Sequence, residues 1–233
     1  TAKASLTKKG SEIDDLTDRF GIRQVRAEGT SILLNGNPII IKGSHRYDAY
    51  DRFGPNPPER FLREELALMK SVGVNMIRVH FPASPDVLNL LDEYGLMMME
   101  EIPLNWWGQK YKGTKSIGGE AEQSLDILDQ AKSALANMIA RDKNHPSIVM
   151  WILFNETWGQ YDTKRLTNWI KELDSTRLVN SASGCENFGV GDIIDGHQYP
   201  GPGPGPTKSW PSADPDEWQW EVKAMPDKTR AAL

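Results

Sequence analysis

Cysteine is nearly absent: Cys185 is the only one in 233 residues, which excludes an internal disulfide framework and any cysteine-rich metal site. No stretch reaches the ~18 consecutive apolar residues of a membrane-spanning helix. Basic charge is not in excess either. Lys and Arg total 27 against 32 Asp and Glu, for a net charge of -5, and without a Lys/Arg stripe nucleic acid is not expected as the main partner. No long polar tract occurs, and 39% hydrophobic with 25% charged residues is the composition of a globular chain rather than a disordered one. Thr1 is not an initiator Met and no charged-then-apolar leader follows it, so the chain reads as a piece of a longer one whose compartment is open. Tryptophan, by contrast, is plentiful: eight residues offer flat faces that suit sugar rings as well as cores.

The length is close to the ~250 residues of one (β/α)8 barrel. Residues 2–23 show short alternating runs broken at Lys8-Lys9-Gly10 and Asp14-Asp15, the pattern of two short strands. Too short to bury a core, residues 1–24 read as the tail of an all-β domain whose body lies upstream. From Val25 a hairpin is predicted to turn at Asn35-Gly36-Asn37-Pro38. Strand-then-helix alternation comes next, as in a parallel sheet with crossover helices. Its strands are predicted at Ile39-Ile40-Ile41, 75–81, 96–102, 147–154, 178–182 and 193–198. Pro58 opens the first helix, with Phe61, Leu62, Leu66 and Met69 on one stripe and Gly73 at its stop. Ser84-Pro85 opens and Gly95 closes the second. A third carries Leu135, Met138 and Ile139, and a fourth carries Leu166, Trp169, Ile170 and Leu173. Residues 25–233 thus read as a barrel holding strands one to six, incomplete at its C-terminal side.

Functional side chains of a parallel barrel gather at the C-terminal ends of its strands. Those positions hold Arg78 and His80; Glu100 and Glu101, followed by Trp106-Trp107; Asn155-Glu156, with Trp158 beyond; and His197 with Tyr199. Carboxylates, aromatics and amide donors around one rim describe a sugar site. Glu156 ends the apolar run Val149–Phe154, where poor solvation raises a carboxyl pKa and keeps the proton that a general acid needs. Asn155 is placed to donate to a sugar 2-hydroxyl.

Arg141-Asp142-Lys143-Asn144-His145-Pro146-Ser147, leading through an apolar strand to Asn155-Glu156, resembles glycoside hydrolase family two, the β-galactosidase, β-glucuronidase and β-mannosidase group. Phe20-Gly21-Ile22-Arg23, Leu34-Asn35-Gly36, Gly73-Val74-Asn75-Met76-Ile77-Arg78 and Asp92-Glu93-Tyr94-Gly95-Leu96 carry the resemblance across most of residues 18–200. It implies an upstream sugar-binding β-sandwich and an immunoglobulin-like domain of which residues 1–24 would be the end. It also implies a retaining glycosidase for terminal β-linked sugars, galactosides first and glucuronides or mannosides next. Glu156 would be its acid/base, with a nucleophilic Glu at strand seven, ~5–5.5 Å away and beyond Leu233, so that the chain alone would be inactive.

Asn155, His80, Glu101, Trp106, Trp107, His197 and Tyr199 are the expected substrate contacts, Tyr199 matching the family's Tyr beside the nucleophile, and Arg78 the structural support. Bland roles stand beside these. His80 and His197 would equally be packing histidines, Glu101 a mid-barrel ion pair, and Trp106 and Trp107 barrel cover, while Glu186 is the one internal substitute for the nucleophile. The partner is a β-glycoside, with a homo-oligomer of the full-length protein possible and no cofactor or metal expected. The magnesium pair of some β-galactosidases is replaced by Asn105-Trp106-Trp107, and His45 stands where many members have Asn in the loop after strand one. Two other readings remain: a barrel that binds carbohydrate without turning it over, and a cellulase or mannanase of the wider clan.

Overall fold

The computed structural model describes residues 1–47, 50–101, 125–155, 162–181, 183 and 188–195. β1 (Ala2–Lys8) and β2 (Ser11–Asp18) pair antiparallel around Lys9-Gly10, and every residue of both is exposed. β3 (Val25–Glu28), β4 (Ser31–Leu34) and β5 (Asn37–Ile39) form a second antiparallel sheet. Its β4–β5 turn is the predicted one: Asn35 and Gly36 both take positive φ, 51° and 80°, as a two-residue hairpin turn of this hand requires.

Five parallel strands come after it, β6 (Gly43–Arg46), β7 (Met76–Val79), β8 (Met97–Glu101), β9 (Ile148–Ile152) and β10 (Leu178–Asn180). They alternate with α1 (Glu59–Ser71), α2 (Pro85–Tyr94), α3 (Leu125–Asp142) and α4 (Thr163–Leu173). Each new strand joins the same edge, in the order β6-β7-β8-β9-β10. That is the progression of a barrel wall; a doubly wound sheet would reverse direction. Helix ends obey local chemistry. The Ser84 hydroxyl accepts from the Val87 N–H, Pro85 occupies the first turn, and Gly95 closes α2 in the left-handed region at φ 64°.

The first parallel strand starts at Gly43, two residues past the Ile39-Ile40-Ile41 run where the sequence predicts it. The Asn35-Gly36 turn commits Ile39 to pair with Ile32 in the antiparallel sheet, and Ile40 is 80% exposed. Asn75 then straps the connecting segment: its Nδ2 donates to the Ile40 carbonyl and its Oδ1 accepts from the Lys42 N–H, each at 2.8 Å. β6 itself, Gly43-Ser44-His45-Arg46, carries no aliphatic side chain and is a strand by virtue of its ladder to β7. His45 accordingly lies inside the first parallel strand rather than in a loop after it. α4 also departs from expectation at one end. Thr163, Leu166, Thr167 and Ile170 are buried while Leu173 is 39% exposed, because the i, i+3, i+4, i+7 stripe starting at Thr163 ends at Ile170. Of the predicted sixth strand, Ile193 is buried; residues 196–200 lie outside the described residues.

Two cores result. One lies between sheet and helices and includes Leu66, Leu88, Leu91, Leu135, Trp151, Phe154, Leu166 and Ile170. The other, on the opposite sheet face, joins Met76, Met99, Met150, Ile152 and Leu178 to Val25 and Ile32. The antiparallel β3–β5 sheet therefore packs on the inner face of the parallel strands, leaving their C-terminal ends for the polar residues.

The motif Phe20-Gly21-Ile22-Arg23 acquires a structural role. The Arg23 guanidinium donates to the carbonyls of Pro146 (3.1 Å), Thr176 (2.8 Å) and Ile148 (2.6 Å), and so ties the segment before β3 to the entrances of β9 and β10. Arg177 binds the same region from inside, donating to the carbonyls of Ile148, Lys143 and His145 and to Asp174. Charge-assisted hydrogen bonds of this kind contribute roughly 1.5–3 kcal/mol. Arg23→Ala is expected to lower unfolding free energy by about that amount, read as a shifted urea midpoint at constant slope; an unchanged midpoint would show the contacts to be idle.

The Arg141–Ser147 motif is likewise architecture. Arg141 forks onto Asp142 at 2.6 and 2.7 Å. Asp92 on α2 contacts His145 Nδ1 at 2.7 Å and accepts from the Ser147 N–H at 2.9 Å, which shapes the passage from α3 into β9.

Candidate active site

Period-two alternation along β8 sends Glu100 and Glu101 to opposite faces of the sheet. Glu101, wholly buried, points to the inner side, where Arg78 of β7 meets it: Arg78 Nη2 lies 2.7 Å and Nε 3.2 Å from Oε2. The other oxygen, Oε1, is 3.1 Å from His80 Nδ1. Both carboxylate oxygens are thereby engaged, which is the mid-barrel ion-pair arrangement. In this contact the carboxylate oxygen is the acceptor and the ring nitrogen the donor.

Arg78 also reaches the third strand end. Its Nη2 lies 2.6 Å from Asn155 Oδ1. A guanidinium has no acceptor, so the atom of the Asn155 amide that faces it is the oxygen. The NH2 group is consequently turned away from Arg78, as a donor. Asn155 is 8% exposed and comes directly after a strand in which every residue from Ile148 to Phe154 is buried. Arg78, expected as structural support, thus joins Glu101, His80 and Asn155 into one network.

Two rings beside this network were not among the expected contacts. His45 of β6 and Tyr47, just past its end, approach each other to 4.3 Å between centroids, and His45 lies 4.6 Å from His80. Partial desolvation, then the neighbouring His80 and Arg78, push the pKa of His45, whose surface is still in part exposed, down to about 4. The signal available in the sequence was the spacing His45-x-Tyr47 at the end of a strand, hidden because the strand itself carries no apolar pattern.

Glu156, Trp106, Trp107, His197 and Tyr199, with Trp158 and Glu186, lie outside the described residues. Among the described residues no group of three or more His, Cys, Asp or Glu is placed to hold a metal, and no helix is long and apolar enough to cross a membrane. A cleft of about 730 Å³ lies on the outer side of α1 and α2 against residues 17–21, away from the network.

A parallel barrel wall with Arg78, Glu101 and Asn155 networked at the C-terminal ends of its strands carries its polar cluster where barrels of this kind place their functional sites. The chain belongs to the glycosyl hydrolases family 2, whose TIM barrel domain matches residues 25–199. It is 32% identical over 193 residues to a β-galactosidase of Kluyveromyces lactis, a match covering 73% of this chain and 18% of that protein. To a β-galactosidase of Vibrio cholerae it is 29% identical over 214 residues, covering 88% and 20%. The chain therefore spans about a fifth of the length of these curated relatives. Among solved structures, a family 2 β-galacturonidase from Eisenbergiella tayi bound to galacturonate superposes with a TM-score of 0.73 at 26% identity, over 99% of this chain and 41% of that one. A β-glucuronidase of Parabacteroides merdae does so with 0.66 at 26% identity, over 84% and 25%.

Proposed function

We propose that the protein containing these residues is a retaining glycosidase that cleaves terminal β-linked sugars, β-galactosides first, with Glu156 as acid/base. The observation that carries the reading is the bond from Arg78 to Asn155 Oδ1. It turns the amide NH2 of Asn155 away from the guanidinium, available to a sugar hydroxyl next to the residue that would deliver the proton. In this mechanism Glu156 protonates the departing glycosidic oxygen while a carboxylate from outside this chain attacks the anomeric carbon. Glu156 then takes a proton from water as the covalent intermediate is hydrolysed. Trp106 or Trp107 would stack on the sugar, His80 and His197 would line the pocket, Tyr199 would hold the attacking carboxylate, and Glu101 would act chiefly through Arg78.

The galactoside preference is supported by the two β-galactosidase relatives. A β-glucuronidase-like specificity is the second reading, because the solved neighbours include a β-glucuronidase and a β-galacturonidase. Residues 1–24 are assigned to the end of a preceding β-sandwich, which would cover Leu6 and Leu16, 60% and 71% exposed on the hairpin. Screening the full-length protein against nitrophenyl β-galactoside, β-glucuronide and β-mannoside tests the reading. Turnover is expected on the galactoside; preference for the glucuronide would replace the specificity, and binding without turnover on all three would leave a carbohydrate-binding barrel.

A further inference from the structure

On the helix-facing side of β8, Glu100 has no solvent exposure, and its strand neighbour in register is Trp151 of β9. Its Oε1 accepts from the Ala83 N–H at 3.1 Å, in the turn between β7 and α2. Its Oε2 has no hydrogen-bond partner among the described residues. Asp142, also fully buried, comes from the end of α3, but both its oxygens are taken by Arg141. That same Arg141 donates to the Ala83 carbonyl at 2.8 Å. Ala83 is therefore gripped at its N–H by β8 and at its carbonyl by α3. Three elements meet at one residue.

We propose that Glu100 is a proton-operated latch: neutral, it lies buried under the β7–α2 turn, at the residue that Arg141 of α3 also holds, and the buried charge left when its proton departs loosens that junction. The charged groups around it are Asp142 and Arg141 from α3 and, more distantly, Arg177 before β10. Arg141 is already forked onto Asp142, and among the described residues no cation makes an ion pair with Glu100. Burial first, and the Asp142 charge second, raise the Glu100 pKa from the ordinary 4.5 to about 8, against the opposing pull of the Ala83 N–H, Arg141 and Arg177.

These shifts fix the sign of the pH effect. The folded state holds this proton more tightly than the unfolded chain, so the contribution of Glu100 to stability is full below 4.5, declines as pH rises towards about 8, and levels off above it. The full loss is on the order of a thousandfold in the folding equilibrium, because each pKa unit is a factor of ten. The latch concerns the strand that carries Glu101, yet it does not depend on which reaction, if any, the site performs.

The experiment is the pH dependence of thermal unfolding of the full-length protein and of its Glu100→Gln and Glu100→Met variants, neither of which can ionise at this position. Wild type is expected to lose stability between 4.5 and about 8, and the variants are expected to lack that part of the decline. Identical slopes in all three overturn the proposal. Infrared spectroscopy of the wild type gives an independent check. A protonated carboxyl band should vanish on titration through about 8 and be missing from the Glu100→Gln spectrum. Absence of any such band in the wild type overturns the proposal however the variants fold.

Discussion

Glu156→Gln in the full-length protein is expected to lower turnover of a β-glycoside by about 10²- to 10⁴-fold, the usual contribution of a positioned general acid/base, while leaving sugar binding intact. Glutamine keeps the shape and most hydrogen bonds of the side chain but has no proton to give. The leaving group provides an internal control. An aryl glycoside whose phenolate departs without help needs little protonation, so its first step should suffer least, and a poor leaving group should suffer most. Steady-state kcat/KM on the two classes checks this. A loss under tenfold on poor leaving groups would remove Glu156 from the acid role.

Arg78→Met has the largest expected effect on stability. Glu101 has no exposure and the Arg78 side chain only 20%. Removing the cation strands a buried carboxylate, with a typical cost of about 3–5 kcal/mol. The same change frees Asn155 Oδ1 from its donor, so the amide is no longer held in one orientation and activity should fall together with stability. Glu101→Gln combined with Arg78→Met separates the two effects. The double variant removes the stranded charge and should regain much of the stability, whereas activity should stay low because Asn155 still lacks its anchor. Denaturant unfolding and kcat/KM on the same samples read both. If the double variant recovers activity as well, Arg78 serves only to neutralise Glu101 and does not position Asn155.

Some of this architecture was legible without coordinates because the interactions that produce it are local. Ser84-Pro85 and Gly95 bracket α2 through bonds and backbone angles within a turn, and Asn35-Gly36 adopts positive φ because its own side-chain chemistry permits it. The α2 stripe of Val87, Leu88 and Leu91 arises from periodicity, whereas in α1 Leu62 and Leu66 are buried and Phe61, expected beside them, is 37% exposed. The sequence alone thus established the α/β order, most element boundaries and the short set of strand ends to inspect.

Tertiary structure decided what depends on partners distant in the chain. β6 is a strand only because β7 offers a parallel ladder and Asn75 straps its approach; its own four residues carry no pattern to betray it. Which of Glu100 and Glu101 faces the site is set by the side on which the helices pack, and which cation each finds is set by strand register. Arg23 and Arg177 look alike as residue types, yet their hold on β9 and β10 comes from carbonyls more than a hundred residues away for Arg23 and within 34 for Arg177. Hydrogen bonds and ion pairs across elements leave no periodic trace, because they rest on where backbones come to lie in space and not on the order of residues along the chain.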